Sequence, residues 1–121
     1  MARRILSISD NPGLLLTRNN MLAVAGYSVA SPRHSEAAGP LFAAENFDAV
    51  LIGDSVPART RARIIKELRS IRKHTPILYV YADAKHRREP AADASVDVTG
   101  DPEVLLKALE AHINRSLHRA A

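Results

Sequence analysis

Ala49-Val50-Leu51-Ile52 is the stretch that most constrains this chain: an unbroken apolar run that stops at Gly53-Asp54 and is closed off by Pro57. A strand with one wet face alternates apolar and polar residues. A short continuous run between breakers reads instead as a strand buried on both faces, as in a parallel sheet. The residues at its carboxyl end then sit where open α/β sheets place their working sites.

The rest of the chain repeats that theme. Ile5 to Ser9 reads as a first strand ending at Asp10, and Asn11-Pro12 as the start of a helix. Leu14, Met21 and Ala25 recur at near-helical spacing, with Thr17 and Arg18 between them, and Gly26 stops the helix. Tyr27 to Ser31 is a short second strand. Ser35 is a candidate N-cap for a second helix with Ala37, Ala38, Leu41 and Phe42 on its face, weakened by Gly39-Pro40. Ala58 to His74 is the strongest amphipathic helix, with Ile64, Ile65, Leu68 and Ile71 as its stripe. Ile77 to Tyr81 is a fourth buried strand. Asp83 to Asp93 is polar, contains Pro90 and has little helical period; Ser95 to Val98 is a fifth strand. Asp101-Pro102-Glu103 opens a last helix that buries Leu105, Leu109, His112 or Ile113, and Leu117. The expectation is one domain over residues 1–121, of class α/β: a (βα)₅ flavodoxin-like, five-stranded parallel sheet with helices on both faces and a short or irregular fourth helix.

Composition removes several alternatives. With no cysteine, disulfides and thiolate metal sites are excluded. The apolar stretches are too short to span a bilayer. The run after Arg3-Arg4 is broken by Ser7, Ser9 and Asp10, which argues against a signal peptide, so a cytoplasmic protein is expected. The net charge of +4 is uneven: Ala58 to Lys73 alone carries +6, leaving −2 for the rest.

Four stretches together resemble the receiver domains of bacterial two-component response regulators. They are Ile5 to Pro12, Ala25-Gly26-Tyr27-Ser28-Val29, Phe47 through Pro57, and Asp101 to Leu106, in order and at matching spacing. The resemblance implies a phosphoacceptor Asp ending the third strand, an acid pair holding Mg²⁺ after the first, a hydroxyl ending the fourth and a Lys ending the fifth. Carried over, the acceptor position falls on Gly53, the acid pair on Ser9 and Asp10, the hydroxyl on Tyr81 and the Lys near Val98. A carboxylate attacks an anionic phosphoryl donor only when cations offset the crowded charge. The resemblance therefore implies the fold and a signalling context, in a degenerate pseudo-receiver without the usual phosphotransfer. No cofactor is expected, and the fold should not depend on Mg²⁺.

Other candidates are weighed beside that reading. Asp54, next to the acceptor position, is a substitute nucleophile, and with Asp10 a weak Mg²⁺ site; the plainer roles are a loop Asp and a helix-capping turn. Tyr81 either fills the switch pocket or is simply a partly buried tyrosine. The third helix (Arg59, Arg63, Lys66, Arg69, Arg72, Lys73) suits a polyanion or an acidic protein, although Arg59, Arg61 and Arg63 flank the stripe as any solvated face would, and no aromatics interleave with them. Lys85, Arg87 and Arg88 lie where this family meets its partners. Leu15 and Leu16 fall off the first helix's core face and are a candidate partner patch. His34, His74, His86, His112 and His118 have no metal spacing. No phosphate loop or nucleophile triad is present, so no enzyme activity is expected. The leading expectation is a monomer or weak homodimer that docks on a protein in a signalling pathway, with no membrane contact. The alternatives are a noncanonical phosphoreceiver using Asp54 with Mg²⁺, and a nucleic-acid-binding module using the basic helix.

Overall fold

The computed structural model describes residues 2–120, and the side chains of residues 2–118. Five strands, β1 (Arg4–Ile8), β2 (Ser28–Ala30), β3 (Ala49–Gly53), β4 (Ile77–Tyr81) and β5 (Ala94–Asp97), form one sheet in the order β2-β1-β3-β4-β5. Every pairing is parallel. The helices are α1 (Pro12–Val24), α2 (Ala38–Ala44), α3 (Ala58–Ile71) and α4 (Val104–Ala120).

The two-residue period of the strands divides the core into two layers. Leu6, Ile8, Val50, Ile52, Ile77 and Tyr79 face α2 and α3, where they meet Phe42, Ile64, Ile65 and Leu68. Ile5, Ala49, Leu51, Leu78, Val80 and Val96 face α1 and α4, where they meet Leu22, Leu105, Leu109 and Ile113. All of β3 is buried, as its unbroken apolar run requires.

Local chemistry sets the ends of the elements. The Asn11 carboxamide accepts the Leu14 N–H at 3.0 Å and caps α1. Gly26 follows with φ 98°, its N–H donating to Ala23 and that of Tyr27 to Leu22, the paired bonds of a Schellman stop. The Asp101 carboxylate accepts the Glu103 N–H at 3.0 Å, ahead of α4.

Several expectations shift. On α1 the buried residue is Leu22; Met21 is half-buried, Leu14 and Ala25 are exposed, Leu15 is half-buried and Leu16 exposed. The adjacent leucines 14 to 16 blur the period, and the inward face runs 15–18–22 rather than 14–21–25. Ser35 does not cap: it is buried inside a 3₁₀ turn, Ser35–Ala37, ahead of α2. The third helix ends at Ile71, short of His74, and β5 starts one residue before Ser95 and stops before Val98. Leu117 lies in the last turns of α4 and is 44% exposed. Between β4 and β5 a single 3₁₀ turn, Ala84–His86, replaces a fourth helix.

Candidate functional site

The carboxyl edge of the sheet brings together the ends of β1, β3 and β4. Gly53 is the last residue of β3 and pairs with Val80. A Cβ built on it would lie 2.5 Å from Nη2 of Arg18, so the guanidinium of α1 occupies the space into which a side chain at 53 would grow. Its Nη1–H donates to the Ser7 hydroxyl and to the Ile8 carbonyl, each at 3.1 Å. Ser7 is fully buried on the same sheet face as Ile5, and Arg18 supplies its partner. Burial lowers the Arg18 pKa to about 10, and the negative charge of Asp54 only partly offsets that. Asp54 is half-buried beside it, and its carboxylate accepts the Ala82 N–H at 3.1 Å.

After β1, hydroxyls do the holding. Ser9 Oγ and Ser55 Oγ share a hydrogen bond of 2.8 Å, and Ser55 Oγ accepts the Asp10 N–H at 2.9 Å. Asp10 itself is exposed. Among the described residues, no three His, Cys, Asp or Glu side chains converge as a metal site. Tyr81 is half-buried and stacks on Tyr79, with ring centroids 5.8 Å apart. Arg18, Asp54, Tyr81 and Val98 border a cleft of about 250 Å³ between α1 and the start of α4.

No protein-family model matches the chain, and no curated protein matches it. Solved structures do. A CheY-like response regulator receiver domain protein from Methanospirillum hungatei superposes with a TM-score of 0.84 at 18% identity, over 98% of this chain and 99% of that one. The fold is that of a receiver domain. Response regulator TrrA of Thermotoga maritima, solved with Mg²⁺ and beryllofluoride, gives 0.80 at 23% identity over 91% and 98%. Chemotaxis protein CheY4 of Vibrio cholerae gives 0.76 at 23% identity over 91% and 98%.

In this receiver fold the basic helix is not one free stripe. Arg61, read from sequence as solvated, is buried. Its Nε–H donates to Glu89 at 2.6 Å, its Nη1–H to the Val56 carbonyl at 2.8 Å, and the guanidinium lies 4.3 Å from the Tyr79 ring centroid. The Tyr79 hydroxyl donates to the His86 carbonyl. Burial raises the Tyr79 pKa, more than Arg61 lowers it. Arg63 pairs with Glu36 at 2.7 Å and Arg69 with Asp93 at 3.1 Å, while Arg72 lies over Phe42 and donates to its carbonyl. Arg59, Lys66 and Lys73 are exposed, as are Lys85, Arg87 and Arg88 on the β4–β5 segment.

Arg18, Ser55 and Glu89 are the site residues that sequence reading passed over. A signal existed for Arg18: it sits on the helical row Leu15, Arg18, Leu22, where an arginine interrupts the inward face. Arg61 stands likewise in register with Ile64, Ile65 and Leu68. Ser55 and Glu89 lie outside regular elements and carry no periodic signal.

Proposed function

We propose that this chain is a pseudo-receiver: a signalling module that works by docking on a protein partner and does not carry a phosphoaspartate. The response-regulator receiver neighbours support the context. The observation that carries the reading is Arg18, whose guanidinium stands 2.5 Å from where a Gly53 side chain would begin. In the family's chemistry a carboxylate there attacks the donor while a divalent cation offsets the charge. Here the acceptor position has no nucleophile, and a fixed cation fills its space. The residues do not suit Mg²⁺. Ser9 is tied to Ser55, Asp10 points to solvent, and Asp54 faces the guanidinium, which would repel a second cation. The pocket thus holds one charge state, and docking is not gated by phosphoryl transfer.

The docking surface we assign is the β4–β5 segment. Arg61 and Glu89 strap it down, and Lys85, Arg87 and Arg88 stand exposed along it, a surface suited to an acidic protein face. No catalytic role is assigned to any residue. The test is intact-mass analysis after incubation with Mg²⁺ and a small phosphodonor such as acetyl phosphate. The expected result is no phosphoryl adduct. An adduct that disappears in Asp54→Asn would overturn this reading and make the chain a phosphoreceiver that uses Asp54.

A further inference from the structure

At the opposite edge of the sheet, where β4 and β5 begin, α3 and α4 enclose a cavity of about 150 Å³. Arg69 reaches it from α3, Lys73 and His74 from the turn between α3 and β4, and His112 and Arg115 from α4. Among the described residues the one acid lining it, Asp93, is already committed. Its carboxylate accepts the Ile77 N–H at 2.7 Å and pairs with Arg69 at 3.1 Å. The cations Lys73 and Arg115 and the imidazoles of His74 and His112 therefore line it with no further carboxylate among the described residues. The two cations repel each other across a partly enclosed space, an anion between them relieves that repulsion, and the imidazole N–H groups can donate to it. Burial first and then Arg115 lower the His112 pKa, against a smaller raising effect of Asp93. The frame is fixed, because the Ser116 hydroxyl donates to the His74 carbonyl at 3.3 Å and ties α4 to the turn.

Beside this cavity, and sharing Lys73, His74 and Ser116 with it, runs a groove of about 290 Å³ floored by Phe47, Ile113 and Leu117, with Asp48 at its rim, whose carboxylate accepts the Arg4 N–H at 2.7 Å. A compact cationic chamber that opens onto an apolar groove fits a small molecule with one doubly charged head and an apolar body. A nucleic-acid strand needs a long open track of cations and exposed rings for its bases. Phe47 is buried under Phe42 and Arg4, so its ring faces are taken.

We infer that this chamber and groove form a binding site for a small phosphate monoester, the phosphate held by Lys73, His74, His112 and Arg115 and the organic part lying on Ile113 and Leu117. The site is independent of the Arg18 pocket, so neither reading stands or falls with the other.

The experiment is an imidazole NMR titration of the full chain at pH 7 and about 0.1 M salt, where the Debye length is about 10 Å, with inorganic phosphate and phenyl phosphate as probes. Saturable shifts are expected at His112 and His74 but not at His34 or His86, with the His112 pKa rising on saturation. Phenyl phosphate should bind at least about fivefold tighter than inorganic phosphate, roughly the gain from burying one or two methylene equivalents. The double variant K73A/R115A should bind at least about tenfold more weakly, the loss expected for two charge-assisted contacts at an open site. Both residues are exposed, and an unchanged amide spectrum confirms that the variant folds. Non-saturating shifts, equal shifts at His34 and His86, or unchanged affinity in the double variant would overturn the site. Equal affinity for the two probes would overturn the assignment of the groove. Tighter binding of a single-stranded oligonucleotide through the same residues would overturn the small-molecule assignment.

Discussion

Replacing Arg18 by Met asks whether the guanidinium belongs to the fold or to the site. Met keeps most of the length and has a similar helix propensity, so the change isolates the charge and its hydrogen bonds. The fall of the Arg18 pKa from the ordinary arginine value to about 10 corresponds, at about 1.4 kcal/mol per pKa unit, to a cost of roughly 3 kcal/mol for holding the cation in the fold. The sign is fixed by linkage. A base whose folded pKa is lowered binds its proton less well in the folded state, so the cost is fully present below about pH 10 and is relieved as pH rises from there toward the ordinary arginine value. At pH 7 the substitution removes all of it. Against this, the Ser7 hydroxyl and Ile8 carbonyl lose their charged donor, worth about 1–2 kcal/mol each. The two sides nearly cancel, and Arg18→Met should change stability by no more than about 1 kcal/mol. Urea unfolding followed by far-UV circular dichroism reads this directly, and the chain has no tryptophan to follow instead. A loss above about 3 kcal/mol would refute the reasoning: the guanidinium would then be a structural element, and its place at Gly53 would say nothing about the pocket.

Three further outcomes are expected. Glu89→Ala strands the buried Arg61 charge and should cost about 3–5 kcal/mol, while the joint change R61M/E89L stays within about 1–2 kcal/mol of the parent; faster tryptic cleavage at Lys85, Arg87 and Arg88 in the single variant would show that the strap has opened. The folded-state pKa of His112 is depressed, so its contribution is present above the ordinary histidine pKa and is lost as pH falls through that value toward the folded one; His112→Asn should flatten the acid side of a melting-temperature profile between about pH 7.5 and 5, and an unchanged profile would remove His112 as the cause. Gly53→Ala places a Cβ 2.5 Å from Arg18 Nη2 and should displace the guanidinium at a cost of about 1 kcal/mol; the cost should vanish in the Arg18→Met background, a coupling that a double-mutant cycle measures.

Sequence pattern carried the fold because burial on two faces leaves its mark on residue order. Ala49 to Ile52 and Ile77 to Val80 are apolar without interruption and became the two central strands, fully buried. The first helix was less legible: Leu14, Leu15 and Leu16 offer three registers at once, and only packing decides that Leu22 is the residue driven to zero exposure. The fourth helix is missing for a reason visible in the composition. The segment from Asp83 to Asp93 has too few apolar residues to bury a face, so it is held by hydrogen bonds and by the Arg61–Glu89 pair instead. Contacts between side chains far apart in sequence, such as Ser9 with Ser55, have no period and could not be read beforehand.

The site was half legible for a deeper reason. Pattern reading sends charges to the surface, because an unpaired buried charge is expensive. Among the described residues Arg61 breaks that rule outright and Arg18, half-buried, does so in part, each against a central strand. Arg18 stands against the end of β3 on the α1 side, held by Ser7 and Ile8. Arg61 lies on the other face against Tyr79 of β4, held by Glu89 and Val56. A chain gains nothing in stability from placing a desolvated guanidinium where a leucine or methionine would pack. Positions that keep one at a cost are therefore where function is to be sought. Arg18 puts a permanent positive charge at the carboxyl edge of the sheet, and Arg61 fixes the segment that follows β4. On the proposed reading they hold this edge in one charge state and one shape, a surface suited to being recognised rather than switched.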